Sequence, residues 1–172
     1  MPVSRLVRDK GIVFIGMAGV GKSTIGKILA SRLGMPFLDL DVYISEKEGK
    51  SPQEIIDESG EQHMLDLEIR YMGDIDTKGT VVSPGGSIIY DPALMNRLRS
   101  SAILVYLLDS FENISARIPE AERRGIIGIK TKSLRQIYDE RATLYARYAH
   151  ITIDCRDKSM ESIADEIERK LG

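Results

Sequence analysis

The sequence predicts an α/β fold built on a doubly wound parallel sheet, and three observations predict it. Residues 16–24 read Gly16-Met17-Ala18-Gly19-Val20-Gly21-Lys22-Ser23-Thr24, the Gly-x-x-x-x-Gly-Lys-[Ser/Thr] pattern of a phosphate-binding loop. The apolar run Ile12-Val13-Phe14-Ile15 precedes it, and Ile25, Ile28, Leu29 and Leu33 follow at helical spacing, so the order is strand, loop, helix. Strand candidates and helical patterns then alternate to the end of the chain, which builds a parallel sheet between layers of helices.

The elements follow in order. The N-terminus, with Arg5, Arg8, Asp9 and Lys10, is expected to lead directly into the first strand, with no room for a secretory signal. Gly34 and Pro36 stop the first helix, and residues 36–40 form the second strand candidate. Ser51-Pro52-Gln53-Glu54 is a capping box with proline at the first helical position. Gly60 closes that helix, and another runs through Leu65, Ile69 and Met72. Strand candidates at 80–83, 102–107 and 150–154 alternate with a helix opened by Pro92, one along Leu134, Ile137, Leu144 and Tyr148, and one along Ile163, Ile167 and Leu171.

Composition narrows the function. A chain of 172 residues reads as one domain, 1–172. A net charge of −2 gives no electrostatic case for nucleic acid as partner. Cys155 is the lone cysteine, so no internal disulfide forms, which suits a reducing cytoplasm. No apolar stretch has the length of a membrane span. The His-Arg-Asp and Asp-Phe-Gly signatures of protein kinases are absent. The two histidines, His63 and His150, have no metal-ligand spacing.

The candidate chemistry starts at the loop. Glycines let backbone N–H groups turn inward around phosphate oxygens. Lys22 reaches the β- and γ-phosphates, Ser23 offers a hydroxyl to Mg²⁺, and the following helix adds its positive end. In such sheets ligands gather at the carboxyl ends of strands. There Asp39 and Asp41, two residues apart, can support Mg²⁺ through water and accept a proton from a substrate hydroxyl, or Asp41 can cap a helix. Gly85 and Gly86, in Ser83-Pro84-Gly85-Gly86-Ser87, allow close approach by a small substrate or simply make a turn. Residues 117–132, with Arg117, Arg123, Arg124, Gly125 and Gly128, suit a mobile lid or a solvated loop. Arg141, in Glu140-Arg141-Ala142-Thr143-Leu144-Tyr145, reads as a carboxylate clamp or a surface arginine.

Gly-x-x-Gly-x-Gly-Lys-Ser-Thr, Asp-x-Asp, Gly-Glu with a later Glu, a Gly-Gly turn, an arginine-bearing lid and Glu-Arg-x-x-Leu-Tyr together resemble the shikimate kinase family, over about residues 12–154. The resemblance implies a five-stranded parallel sheet of order 2-3-1-4-5 and transfer of the γ-phosphoryl of ATP, with Mg²⁺, to the 3-hydroxyl of shikimate, a step of amino-acid biosynthesis. It implies Lys22 at the phosphates and Ser23 and Asp39 on the magnesium side. Asp41 falls at the substrate hydroxyls, Glu68 on the substrate helix, Arg117 beside the adenine, Arg124 in the lid and Arg141 on the substrate carboxylate. Gly16, Gly19, Val20, Gly21 and Thr24 complete the nucleotide contacts, and Gly85 and Gly86 face the acceptor.

Two positions depart from the pattern. Where the family reads Gly-Glu-x-x-Phe-Arg-x-x-Glu, this chain reads Gly60-Glu61-Gln62-His63-Met64-Leu65-Asp66-Leu67-Glu68, so a second carboxylate-binding arginine is Leu65. The family's Gly-Gly-Gly turn is Pro84-Gly85-Gly86. Arg70, five residues past Leu65, lies on a different part of the helix. The expected partner is thus a small hydroxyl acceptor, with shikimate foremost and a polyol or another hydroxy acid as the alternative. An adenine-binding pseudoenzyme and a gluconate-type or nucleotide kinase are the other readings. A GTPase is disfavoured, since the only asparagines, Asn96 and Asn113, begin no Asn-Lys-x-Asp motif. No surface stripe marks an oligomer interface, and a monomer is compatible.

Overall fold

The computed structural model describes residues 4–123 and 125–172. All five strand candidates form: β1 (Ile12–Ile15), β2 (Phe37–Asp39), β3 (Val81–Ser83), β4 (Ile103–Leu108) and β5 (Ile151–Asp154). They make one parallel sheet in the order β2-β3-β1-β4-β5. β1 lies in the middle, with Ile12 in register with Val81 on one side and Ile103 on the other. Its four side chains are buried, which is why β1 reads as an unbroken apolar run rather than an alternation.

Ten helices surround the sheet among the described residues: α1 (Arg5–Lys10), α2 (Lys22–Leu33), α3 (Leu40–Glu48), α4 (Pro52–Ser59), α5 (Glu61–Asp74), α6 (Pro92–Ser101), α7 (Phe111–Arg117), α8 (Glu120–Arg123), α9 (Leu134–Tyr148) and α10 (Met160–Leu171). A 3₁₀ turn spans Gly86–Tyr90. Helices lie on both faces: α2 packs on β1, β2 and β3 and against α10, while α6 and α9 pack on β4 and on each other. α3, α4 and α5 form a mutually packed group.

Local signals account for the boundaries. Gly34 ends α2 in the left-handed conformation, φ 63°. The capping box at Ser51 forms with both of its hydrogen bonds, and proline occupies the first turn. A second box, Ser133 with Gln136, starts α9. Two expectations need correction. The N-terminus does not run straight into β1, because Ser4 caps the short helix α1, whose Val7 is buried. The cap of α3 is Asp39, not Asp41: its Oδ1 accepts from the amides of Asp41 (3.0 Å) and Val42 (3.3 Å). Asp41 therefore sits in the first turn, where a negative charge also suits the helix dipole.

Candidate active site

β1 delivers the phosphate loop to the carboxyl edge of the sheet, and α2, which starts at Lys22, turns the positive end of its dipole toward it. Gly21 precedes α2 with φ 105°, a conformation that only glycine adopts without strain. Lys22 is 8% exposed. Its ammonium folds back and donates to the carbonyl oxygens of Gly16 (2.8 Å) and Met17 (2.9 Å). Burial lowers its pKa from 10.5 to about 8, with the charge of Asp41 opposing the shift. A cation held by two carbonyls and stripped of water is suited to an incoming polyphosphate. Val20 is buried, and its amide donates to Met17 O at 3.3 Å.

The phosphate loop shares one cleft of about 440 Å³ with the segments that carry Asp39, Asp41 and Pro84-Gly85-Gly86. Gly19, Gly21, Lys22, Ser23 and Thr24 line one side; Asp39, Asp41, Ser83, Pro84, Gly85 and Gly86 line the other, with Met160 at the edge. Asp39 joins the halves, since its Oδ2 accepts from the Ser23 hydroxyl at 2.5 Å. Ser23 and Asp39 are thus an oxygen pair of the type that Mg²⁺ takes together with phosphate and water. Asp41 is open to solvent as a residue, but its carboxyl is hemmed in by the cleft walls. That crowding, followed by the charge of Asp39, raises its pKa, while Lys22 pulls it down. A more basic carboxylate is a better proton acceptor.

Behind the Pro84-Gly85-Gly86 side of the cleft lies a buried polar layer. Tyr145 donates to Gly86 O at 2.7 Å. Arg141, 2% exposed, donates from Nη2 to Ile127 O (2.9 Å) and from Nε to Tyr90 Oη (3.3 Å). A Cβ on Gly86 would come within 2.8 Å of Tyr145 Oη and 2.9 Å of Arg141 Nη1, so any larger residue there has to displace these hydrogen-bonded groups. Glu68 is 5% exposed, accepts from Ser87, and is pushed up to about 7 by burial.

Not every expected residue reaches the cleft. Leu65 is half-buried and, like Glu68, Arg117 and Arg141, is not part of its lining. Arg70 is exposed and pairs with Glu48 at 3.5 Å, so it does not stand in for an arginine at 65. Arg124 lies outside the described residues. Residues 126–128 pack on α5 and α9, with Ile126 buried, the carbonyl of Ile127 accepting from Arg141 and the amide of Gly128 donating to Glu61 Oε2 at 2.7 Å. His150 has a structural part: its Nδ1 accepts from the amide of Leu104 at 3.0 Å. Cys155 is buried, and burial pushes its thiol up to about 12, too high for a reactive thiolate.

Sequence reasoning missed Asp109. It is 1% exposed, accepts from Asn113 Nδ2 (2.8 Å) and from the Ser110 amide (2.7 Å), and pairs with Arg117 Nη1 at 2.7 Å. It thereby aims Arg117 alongside the phosphate loop, where a Cβ on Gly19 would lie 3.8 Å from Arg117 Cβ. A signal was available, because Asp109 directly follows β4, at the edge where ligands gather.

A family model for shikimate kinase matches residues 18–172. The chain belongs to the shikimate kinase family. It is accordingly a kinase, a phosphotransferase acting on a hydroxyl group. The shikimate kinase of Sulfurihydrogenibium sp. is 34% identical over 163 residues, covering 94% of this chain and 98% of that one. Among solved structures, shikimate kinase from Aquifex aeolicus aligns at TM-score 0.82 and 28% identity, covering 93% of this chain and 95% of that chain. Shikimate kinase from Acinetobacter baumannii in complex with shikimate aligns at TM-score 0.86 and 26% identity, covering 97% and 96%. Among the described residues, no helix is long and apolar enough to cross a membrane.

Proposed function

We propose that this chain transfers the γ-phosphoryl group of ATP to the 3-hydroxyl of shikimate, acting as a single kinase domain with residues 117–132 as its lid. The reading rests foremost on the shared cleft, in which a buried ammonium and a basic carboxylate line the same 440 Å³ space. The loop amides and Lys22 would hold the β- and γ-phosphates. Ser23 and Asp39 would hold Mg²⁺, which neutralises charge on the phosphates when bound. Asp41 would orient the acceptor hydroxyl and take its proton, while Arg141 engages the acceptor's carboxylate and Gly85 and Gly86 face its ring. Arg117, fixed by Asp109, would lie beside the adenine, and Arg124 would close over the transferring group. Catalysis of this kind comes from positioning and charge stabilisation rather than covalent chemistry.

Leu65 favours a second acceptor class. With a leucine there and Arg70 engaged by Glu48, a carboxylate is left to Arg141. A polyol or hydroxy compound with a neutral edge fits that wall as well. A coupled assay for ADP release, run with shikimate and a panel of polyols and hydroxy acids, separates the readings. Shikimate-dependent ADP release supports the first and a preferred neutral acceptor the second. ADP release with none of them contradicts both.

A further inference from the structure

Glu68 lies one helical turn beyond Leu65 on α5, at the i,i+3 spacing that brings side chains together. An arginine at position 65, where the family pattern has one, would reach it; a leucine offers no donor. The carboxylate is nevertheless buried, and it presses against the glycine turn: a Cβ on Gly85 would lie 2.6 Å from Glu68 Oε1. A buried carboxylate without donors is costly. Its Oε2 accepts from the hydroxyl of Ser87, itself 4% exposed, and no other hydrogen bond to this carboxylate occurs among the described residues.

We propose that Ser87 is a positioning residue. It fixes the Glu68 carboxylate beneath the Gly85-Gly86 turn, and so takes over the hold that an arginine at position 65 would exert. The acceptor wall thereby stays assembled in a chain that lacks that arginine. The charges facing Glu68 are Asp41 from α3, Lys22 from α2 and Arg141 from α9. Burial favours the protonated acid and the Ser87 hydroxyl favours the anion, so the donor sets how much of the anion survives at neutral pH.

The consequence for turnover rests on the kinase reading above, but the hold itself is measurable without turnover. The carboxyl carbon of Glu68 is titrated by ¹³C NMR in the nucleotide-free protein. Its signal is assigned with Glu68→Gln, and the fold of each variant is checked by cooperative thermal unfolding. Ser87→Ala is expected to raise the Glu68 midpoint by about one unit, the scale of a lost hydrogen bond to a charged group. In a Leu65→Arg background the same change should shift it by less than roughly half as much, because the guanidinium then shares the hold. If Ser87→Ala does not fold, Ser87→Gly, which removes the same hydroxyl, is titrated in its place. An unchanged midpoint, or an equal shift in both backgrounds, overturns the proposal. In turnover, Ser87→Ala should raise the shikimate KM about tenfold and leave the ATP KM unchanged. Absence of turnover by the unmodified protein would count against shikimate as acceptor and leave the titration to decide the role of Ser87.

Discussion

At the scale of residues, the site is built from buried charges whose solvation has been replaced. Lys22 exchanges water for two carbonyl oxygens, and the depressed pKa of about 8 measures how incompletely they compensate. Phosphate oxygens would complete the exchange. Binding of Mg·ADP above pH 8 should therefore be accompanied by proton uptake, seen as a calorimetric heat that depends on the buffer's ionisation enthalpy and is absent in Lys22→Met. Equal heats in all buffers at pH 8.5 would contradict this. On the proposed acceptor side the residue to test is Leu65. A charge-assisted hydrogen bond is worth roughly 1.5–3 kcal/mol, so Leu65→Arg should lower the KM for shikimate by about 10- to 100-fold. An unchanged KM would place the acceptor's carboxylate elsewhere.

At the scale of elements, the glycine turn after β3 is a tight join, because Gly86 meets α9 and the phosphate loop at once. A Cβ there would press on Tyr145 Oη, on Arg141 Nη1 and, at 3.1 Å, on Gly16 O. Gly86→Ala should destabilise the fold by about 1–3 kcal/mol and weaken acceptor and nucleotide binding together, read from thermal unfolding and the two KM values. A change confined to one substrate would argue against the join. The central strands β1 and β4 were legible because they are almost wholly buried, which leaves a continuous apolar signature. The burial of Arg141 was not legible: the sequence places the apolar stripe of α9 along Leu134, Ile137, Leu144 and Tyr148, whereas Arg141 and Tyr145 are buried with Ile137 and Tyr148 and Leu144 is only half-buried. α7 was missed because it is a seven-residue helix with one buried side chain, Ile114, too short for a periodic pattern to emerge. The grip of Asp109 on Arg117 spans two turns of chain, and the residue types alone do not announce it.

At the scale of the whole molecule, the strand order sets β1 between β3 and β4. The loop after β1 thus has the acceptor turn on one flank and Asp109 with Arg117 on the other. Burying carboxylates around this centre ties stability to pH. Glu68 titrates near 7 in the folded chain against an ordinary 4.5. The folded state therefore binds more protons than the unfolded one between those values, and stability falls as pH rises from 4.5 to 7, by at most about 3 kcal/mol. Glu68→Gln should flatten that part of the stability–pH curve, measured by denaturant unfolding across the range; an unaltered slope would assign it to other groups. The central claim is that one cleft brings the γ-phosphorus of ATP against an alcohol oriented by Asp41. Single-turnover ³¹P NMR with Mg·ATP and shikimate tests it most directly. The γ-phosphorus signal should pass to a phosphate monoester of shikimate, and not in Lys22→Met. Its appearance as inorganic phosphate alone, or its persistence in ATP, would contradict the account.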